Sequence, residues 1–228
     1  MPTVRKIRQD VFEIPVATTL AEQAYELLEE KIITLQLAPG QLLSETALAG
    51  ELHIGRTPIR EALQKLAQTG LVVILPHKGI LISEVNPLNQ LRLLEFRQVS
   101  EQLMVRCATI RNTSEQKTQF YQLAEQLEAA AARNDVAAFM RFDNIFHVST
   151  ALATHNEYLY RALEIYHSLS RRFWYAYNNT SSNLQYCSNL HADLARQIAS
   201  GNPDRAVAAH EKLIQHILEV LQATMTLS

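Results

Sequence analysis

The sequence predicts a mostly α-helical chain: an N-terminal winged helix-turn-helix followed by an all-α antiparallel helical bundle. Three observations carry this expectation. Apolar residues recur at helical spacing along most of the chain. Short β-like runs occur only at 71–75 (LVVIL) and 79–83 (GILIS), on either side of Pro76-His77-Lys78. After Pro87 strand signals cease, and helical periodicity runs on to Leu227. With 228 residues and 47% apolar content there is material for two cores.

Residues 1–17 mix charge with Pro2 and Pro15 and lack periodicity, which predicts a flexible arm. Thr18 or Thr19 can cap a first helix, with Glu22 placed for a capping box. Leu20, Ala24, Leu27, Leu28 and Ile32 then follow helical spacing until Pro39-Gly40 turns the chain. Ser44-Glu45 opens a short helix to about Leu52, and Ile54-Gly55 makes a tight turn. A third helix runs from Arg56 to Gln68, with Pro58 in its first turn, where a missing N–H is harmless. Gly70 closes it, and the two β-like runs form a hairpin with a basic tip. Helices follow at about 88–110, 114–132, 135–154, 156–178, 183–199 and 203–226. The expected domains are therefore 18–85 and 86–228, after an arm at 1–17.

Composition excludes several classes. Net charge −2 with 19% charged residues argues against disorder and against a polyanion-coating protein. Cys107 and Cys187 stand apart, without a disulfide framework, which fits a reducing compartment. The N-terminus has no apolar h-region, and the longest aliphatic run, Leu71 to Leu75, is far too short for a membrane span. The expectation is a cytoplasmic chain with no membrane partner.

The order helix, short helix, tight turn, helix, hairpin places the amino end of the third helix where a major groove can receive it. That end carries Arg56, Thr57 and, one turn on, Arg60. Arginine forks onto guanine acceptors or clamps phosphate. His77 and Lys78 at the hairpin tip can reach backbone or minor groove. Bulk charge does not argue for this: residues 1–85 hold eight Lys plus Arg against ten Asp plus Glu. Locally, residues 53–80 hold Arg56, Arg60, Lys65 and Lys78 against Glu61 alone. A winged helix can also serve as a protein-interaction module.

The segment LAPGQLLSETALAGELHIGRTPIREALQKLAQTGLVVILPHKGILI closely resembles the GntR family of regulators over about residues 20–83. The resemblance implies a homodimer on pseudo-palindromic operator DNA. It assigns the main DNA contacts to Arg56 and Arg60, with Thr57 beside them. Ser44, Thr46, His77 and Lys78 complete the DNA-facing set, and Gly79 permits a close backbone approach at the wing. The family usually has Ser where Gly55 stands and often a basic residue where Thr46 stands.

In the helical part, Asp143 and His147 are spaced i, i+4 and share a helix face. His191 lies on a later helix, and His210 and His216 lie on the last. A carboxylate and imidazoles from three helices can close on one divalent metal such as zinc or nickel. A metal-free pocket in which the histidines bind an organic anion is the alternative. A metal-dependent hydrolase would need a partnered base or nucleophile motif, and none is evident.

Glu95-Phe96-Arg97 through Glu101, FDNIFH (142–147), Asn156 and LHADLARQIASG (190–201) resemble the ligand-binding domain of the FadR subfamily, in its shorter VanR-like branch. This implies a metal at Asp143, His147 and His191 plus a histidine of the last helix. It also implies a small carboxylate effector paired with Arg97. An ungapped alignment puts Leu213 at the usual place of that last histidine, and His210 one turn earlier on the same face can substitute. His216 lies about 120° round the helix from His210. The resemblance implies a transcription regulator, with repression the default, and no enzyme.

Overall fold

A computed structural model describes residues 19–177 and 181–226, leaving aside the side chains of 181–183. The arm expected over 1–17 lies outside the described residues. By packing, the chain divides into two units.

The first unit opens with α1 (Leu20–Ile33). A reciprocal capping box starts it: the Thr19 hydroxyl accepts from the Glu22 amide at 3.1 Å, and the Glu22 carboxylate accepts from the Thr19 amide at 2.9 Å. Its inner face is Ala24, Leu28, Ile32 and Ile33, while Leu20 and Leu27 remain on the exposed side. Helix α2 (Glu45–Leu52) is capped by Ser44, whose hydroxyl accepts from the Ala47 amide, and ends on His53 in the left-handed region. Helix α3 (Arg56–Gln68) packs on α1 through Ile59, Ala62, Leu63 and Leu66. Burial of each of these larger aliphatic side chains stabilises by about 1.5–3 kcal/mol.

Strands β2 (Val72–Leu75) and β3 (Gly79–Ile82) form the expected hairpin. A further strand, β1 (Leu42–Leu43), pairs antiparallel with β3, giving the order β1-β3-β2. Two residues are too few to show alternation, so the sequence does not announce it. Gly79 sits at φ +111°, and a Cβ there would lie 2.4 Å from the Leu43 carbonyl oxygen. The close approach this glycine permits is therefore to β1 of its own sheet. Residues Glu164–Tyr177, the second part of α7 (Glu157–Tyr177), also cluster with this unit. Leu169 joins its core, Ser168 donates to Glu29 at 2.7 Å, and Arg172 donates to the Ser83 carbonyl.

The second unit contains α4 (Pro87–Arg111), α5 (Ser114–Ala132), α6 (Val136–Ala153), α7 as far as Leu163, α8 (Ser181–Ser200) and α9 (Pro203–Thr226). Every one of these helices ends within two residues of its sequence expectation. Helix α5 packs on α8, and α4 on α9, around Phe120, Leu127, Phe139, Phe146, Ile198 and Leu213. Arg196 forks onto Glu128 at 2.7 and 2.6 Å, tying α8 to α5. The result is a mostly helical chain with a small three-stranded sheet. Among the described residues, no helix is long and apolar enough to cross a membrane.

Candidate nucleic-acid interface and metal centre

Because Ile59, Ala62, Leu63 and Leu66 turn inward, the opposite face of α3 is left to solvent. The Arg56 and Arg60 side chains are 64% and 56% exposed, and Thr57 is exposed between them. Gly55 precedes α3 and contributes no side-chain cap. Ser44 and Thr46 at the start of α2, and His77 and Lys78 at the hairpin tip, are exposed as well. Ser44 also serves as the α2 cap.

Arg60 is already engaged. Its Nε donates to the two Glu45 carboxylate oxygens at 3.0 and 3.2 Å, and its Nη2 donates to Oε2 at 2.7 Å. Arg56 approaches the same oxygen at 3.9 Å. The Arg60 hydrogen bond holds the Glu45 carboxyl below its ordinary range, so a full negative charge stands beside two guanidinium groups.

In the helical unit, α6 presents Asp143 and His147 one turn apart, and α8 brings His191 to them. Asp143 Oδ1 lies 3.6 Å from His147 Nε2 and 3.0 Å from His191 Nε2. One ligand atom from each of the three falls within 4.8 Å of the others, and all three residues are largely buried. Phe146 meets the His147 and His191 rings edge-on at 5.2 and 5.7 Å, and Phe139 meets His191 at 5.9 Å. His191 Nδ1 donates to the Cys187 carbonyl at 2.8 Å, which turns Nε2 toward Asp143. One carboxylate oxygen and two imidazole nitrogens, pre-aimed in an apolar shell, fit a divalent cation.

Burial pushes the Asp143 carboxyl up, but the His147 charge and the hydrogen bonds from both histidines outweigh it and hold the group well below carboxylate range. Burial pulls the His191 imidazolium down, and Cys187 with Asp143 outweighs that, raising it well above the usual histidine value. A cation entering between these groups would compete with a proton for the imidazole nitrogens.

The remaining candidates are not clustered with these three groups. His210 is not among the clustered groups; its Nε2 is 3.3 Å from Glu101 Oε2, and its Nδ1 is buried without a hydrogen-bond partner. Arg97 donates from Nε to Glu101 Oε1 at 2.8 Å, so its charge is balanced inside the unit. His216 packs edge-on against Tyr186 at 4.8 Å. A small pocket lined by Glu101, Phe146, His147, Thr150, His210 and Leu213 touches one member of the trio and both partners of the Glu101 pair.

Residues 92–217 match the FCD domain family, and residues 20–82 match the bacterial regulatory proteins of the gntR family. The chain belongs to the GntR family, with an FCD domain. The HTH-type transcriptional repressor RspR of Escherichia coli (strain K12) is 33% identical over 127 residues, 55% of each chain. That match thus spans about half the length of this curated relative. The Nta operon transcriptional regulator of Aminobacter aminovorans is 27% identical over 199 residues, 85% of this chain and 92% of the relative. The solved structure of E. coli McbR/YncC shares the fold, with TM-score 0.78 and 18% identity, over 91% of this chain and 99% of that one.

GntR-family proteins are transcription regulators, not enzymes, and the DNA-binding and FCD regions here stand in that order. Three contributors escaped the sequence reading: Glu45, Glu101 as the partner of His210, and the Cys187 carbonyl. The last is a main-chain atom and leaves no sequence signature.

Proposed function

We propose that this GntR-family chain is a ligand-responsive repressor that binds a pseudo-palindromic operator as a homodimer and senses a small organic acid in its helical unit. The observation that carries the reading is the exposed amino end of α3, with Arg56, Thr57 and Arg60 on the face opposite the core. That geometry suits entry into a major groove, with the wing residues His77 and Lys78 reaching the flanking backbone. Thr46 and Ser44 complete the contact set, and Gly79 keeps the wing paired.

A stripe on α4 supports the dimer. Phe96, Val99, Leu103 and Ile110 recur at helical spacing and are 46%, 70%, 50% and 64% exposed. A second copy covering this stripe would pair two reading heads about a twofold axis, as a palindrome requires. The relative RspR is a transcriptional repressor, which supports repression as the sense here.

Asp143, His147 and His191 would hold a divalent metal, zinc or nickel. A bound ion would supply positive charge against which an effector carboxylate docks beside the pocket. The chain's own residues then set selectivity: Thr150 and His210 offer polar contacts, while Phe146 and Leu213 exclude water. Arg97 orients Glu101 and so shapes the pocket's charge. Occupancy would bias the freedom of the reading heads and shift operator affinity.

The test is operator binding by the full chain on a duplex enriched from a random pool. Arg56→Ala and Arg60→Ala should each weaken it by about 1–3 kcal/mol, and binding should fall steeply with salt. Wild-type affinity in both variants would overturn the assignment of α3.

A further inference from the structure

We infer that Glu45 determines specificity: its carboxylate aims Arg60 at base edges and keeps Arg56 and Arg60 from gripping phosphate indiscriminately. This rests on the proposed reading of α3 as the DNA-facing helix.

A guanidinium group presents more than one pair of parallel N–H donors. Glu45 occupies the Nε–Nη2 side of Arg60 through contacts of 3.0, 3.2 and 2.7 Å. The Nη1–Nη2 side remains, and it offers the two donors that guanine O6 and N7 accept. The side chain thus meets the duplex already oriented, without first losing its rotamer freedom. Glu45 is itself fixed. It is the first residue of α2, directly after the Ser44 cap, where a helix amino end favours negative charge.

Charge gives the second half of the argument. Arg56 and Arg60 converge on a single carboxylate, so two cations and one anion leave a net charge of +1 at this tip. Phosphate is attracted to unscreened cations regardless of sequence. A carboxylate between them weakens that attraction on every duplex, and only a base pair that uses the aimed fork restores what is lost. A merely structural Glu45 would behave otherwise, because its removal would depress binding to all duplexes alike.

The experiment uses the full chain and two duplexes: one enriched by wild type from a random pool, and a shuffled duplex of the same composition. Fluorescence anisotropy is followed across a salt series for wild type, Glu45→Gln, Glu45→Asp and Arg60→Ala. Glu45→Gln should bind the shuffled duplex several-fold more tightly and lose about tenfold in discrimination. Its salt slope on the shuffled duplex should steepen by about one. Glu45→Asp keeps the charge but draws the carboxylate back from Arg60, so it should keep the wild-type salt slope while losing several-fold in discrimination. This carries the test if the glutamine variant melts early, and wild-type discrimination in it would then overturn the aiming role. If Arg60→Ala weakens the enriched duplex while Glu45→Gln leaves the discrimination ratio at the wild-type value, or lowers both affinities equally, the role of Glu45 is overturned. If Arg60→Ala itself changes nothing, the reading of α3 fails first.

Discussion

The Glu101 carboxylate joins two helices far apart in sequence: Oε2 lies 3.3 Å from His210 Nε2 on α9, while Oε1 accepts from Arg97 on its own helix α4. All three side chains are buried. Glu101→Gln removes the buried negative charge that pairs with Arg97, so it should destabilise the chain by about 3–5 kcal/mol in urea unfolding. Burial pushes the Glu101 carboxyl up, but Arg97 and then His210 outweigh it, and the folded value sits below the ordinary carboxylate range. The sign follows. The stabilisation is complete above the unfolded value of about 4.3 and is lost as pH falls through the folded one. The glutamine variant should lack this acid-side component; an unchanged pH–stability curve would contradict the assignment.

Zinc or nickel added to chelator-treated protein should raise the melting temperature. At a free metal concentration of about 100 times Kd, the gain is about 2.7 kcal/mol. Asp143→Ala, His147→Ala and His191→Ala should each remove the shift. A melting curve indifferent to both ions would rule the centre out.

His210→Ala should leave metal stoichiometry unchanged, since His210 Nε2 is engaged by Glu101 and His210 is not in the cluster formed by Asp143, His147 and His191. Elemental analysis of the purified variant decides this. Loss of metal would mean that His210 leaves Glu101 to serve as a ligand.

Gly79→Ala should disrupt the wing. The alanine would carry a Cβ 2.4 Å from the Leu43 carbonyl at a φ of +111°. Backbone strain of this kind costs about 1–3 kcal/mol before any unpairing of β1 from β3. A lowered melting temperature together with weaker duplex binding is expected; wild-type values in both would show that the strand yields freely.

Most of the architecture is legible because it rests on local rules. Thr19 with Glu22, Pro58 in a first turn and Gly70 after α3 are short-range signals, and Ile59, Ala62, Leu63 and Leu66 mark one inward face. Asp143 and His147 were legible as a pair for the same reason. What stayed hidden is non-local. Glu45 reaches Arg60 on another helix, and Glu101 meets His210 at a separation of 109 residues. Periodicity cannot report which charged side chains meet across helices. Nor can it say that Leu20 and Leu27 lie on the exposed side of α1, because an apolar residue reads the same on either face.

The missing cap at Gly55 has a consequence for how tightly the backbone itself can hold an anion. With no hydroxyl ahead of α3 to accept from them, the amides of Gly55, Arg56 and Thr57 are the main-chain donors at that helix end, since Pro58 has no N–H. Grip at this point then combines a rigid set of peptide donors with two long flexible cations, one part fixed in direction and the other adjustable and sensitive to dissolved ions.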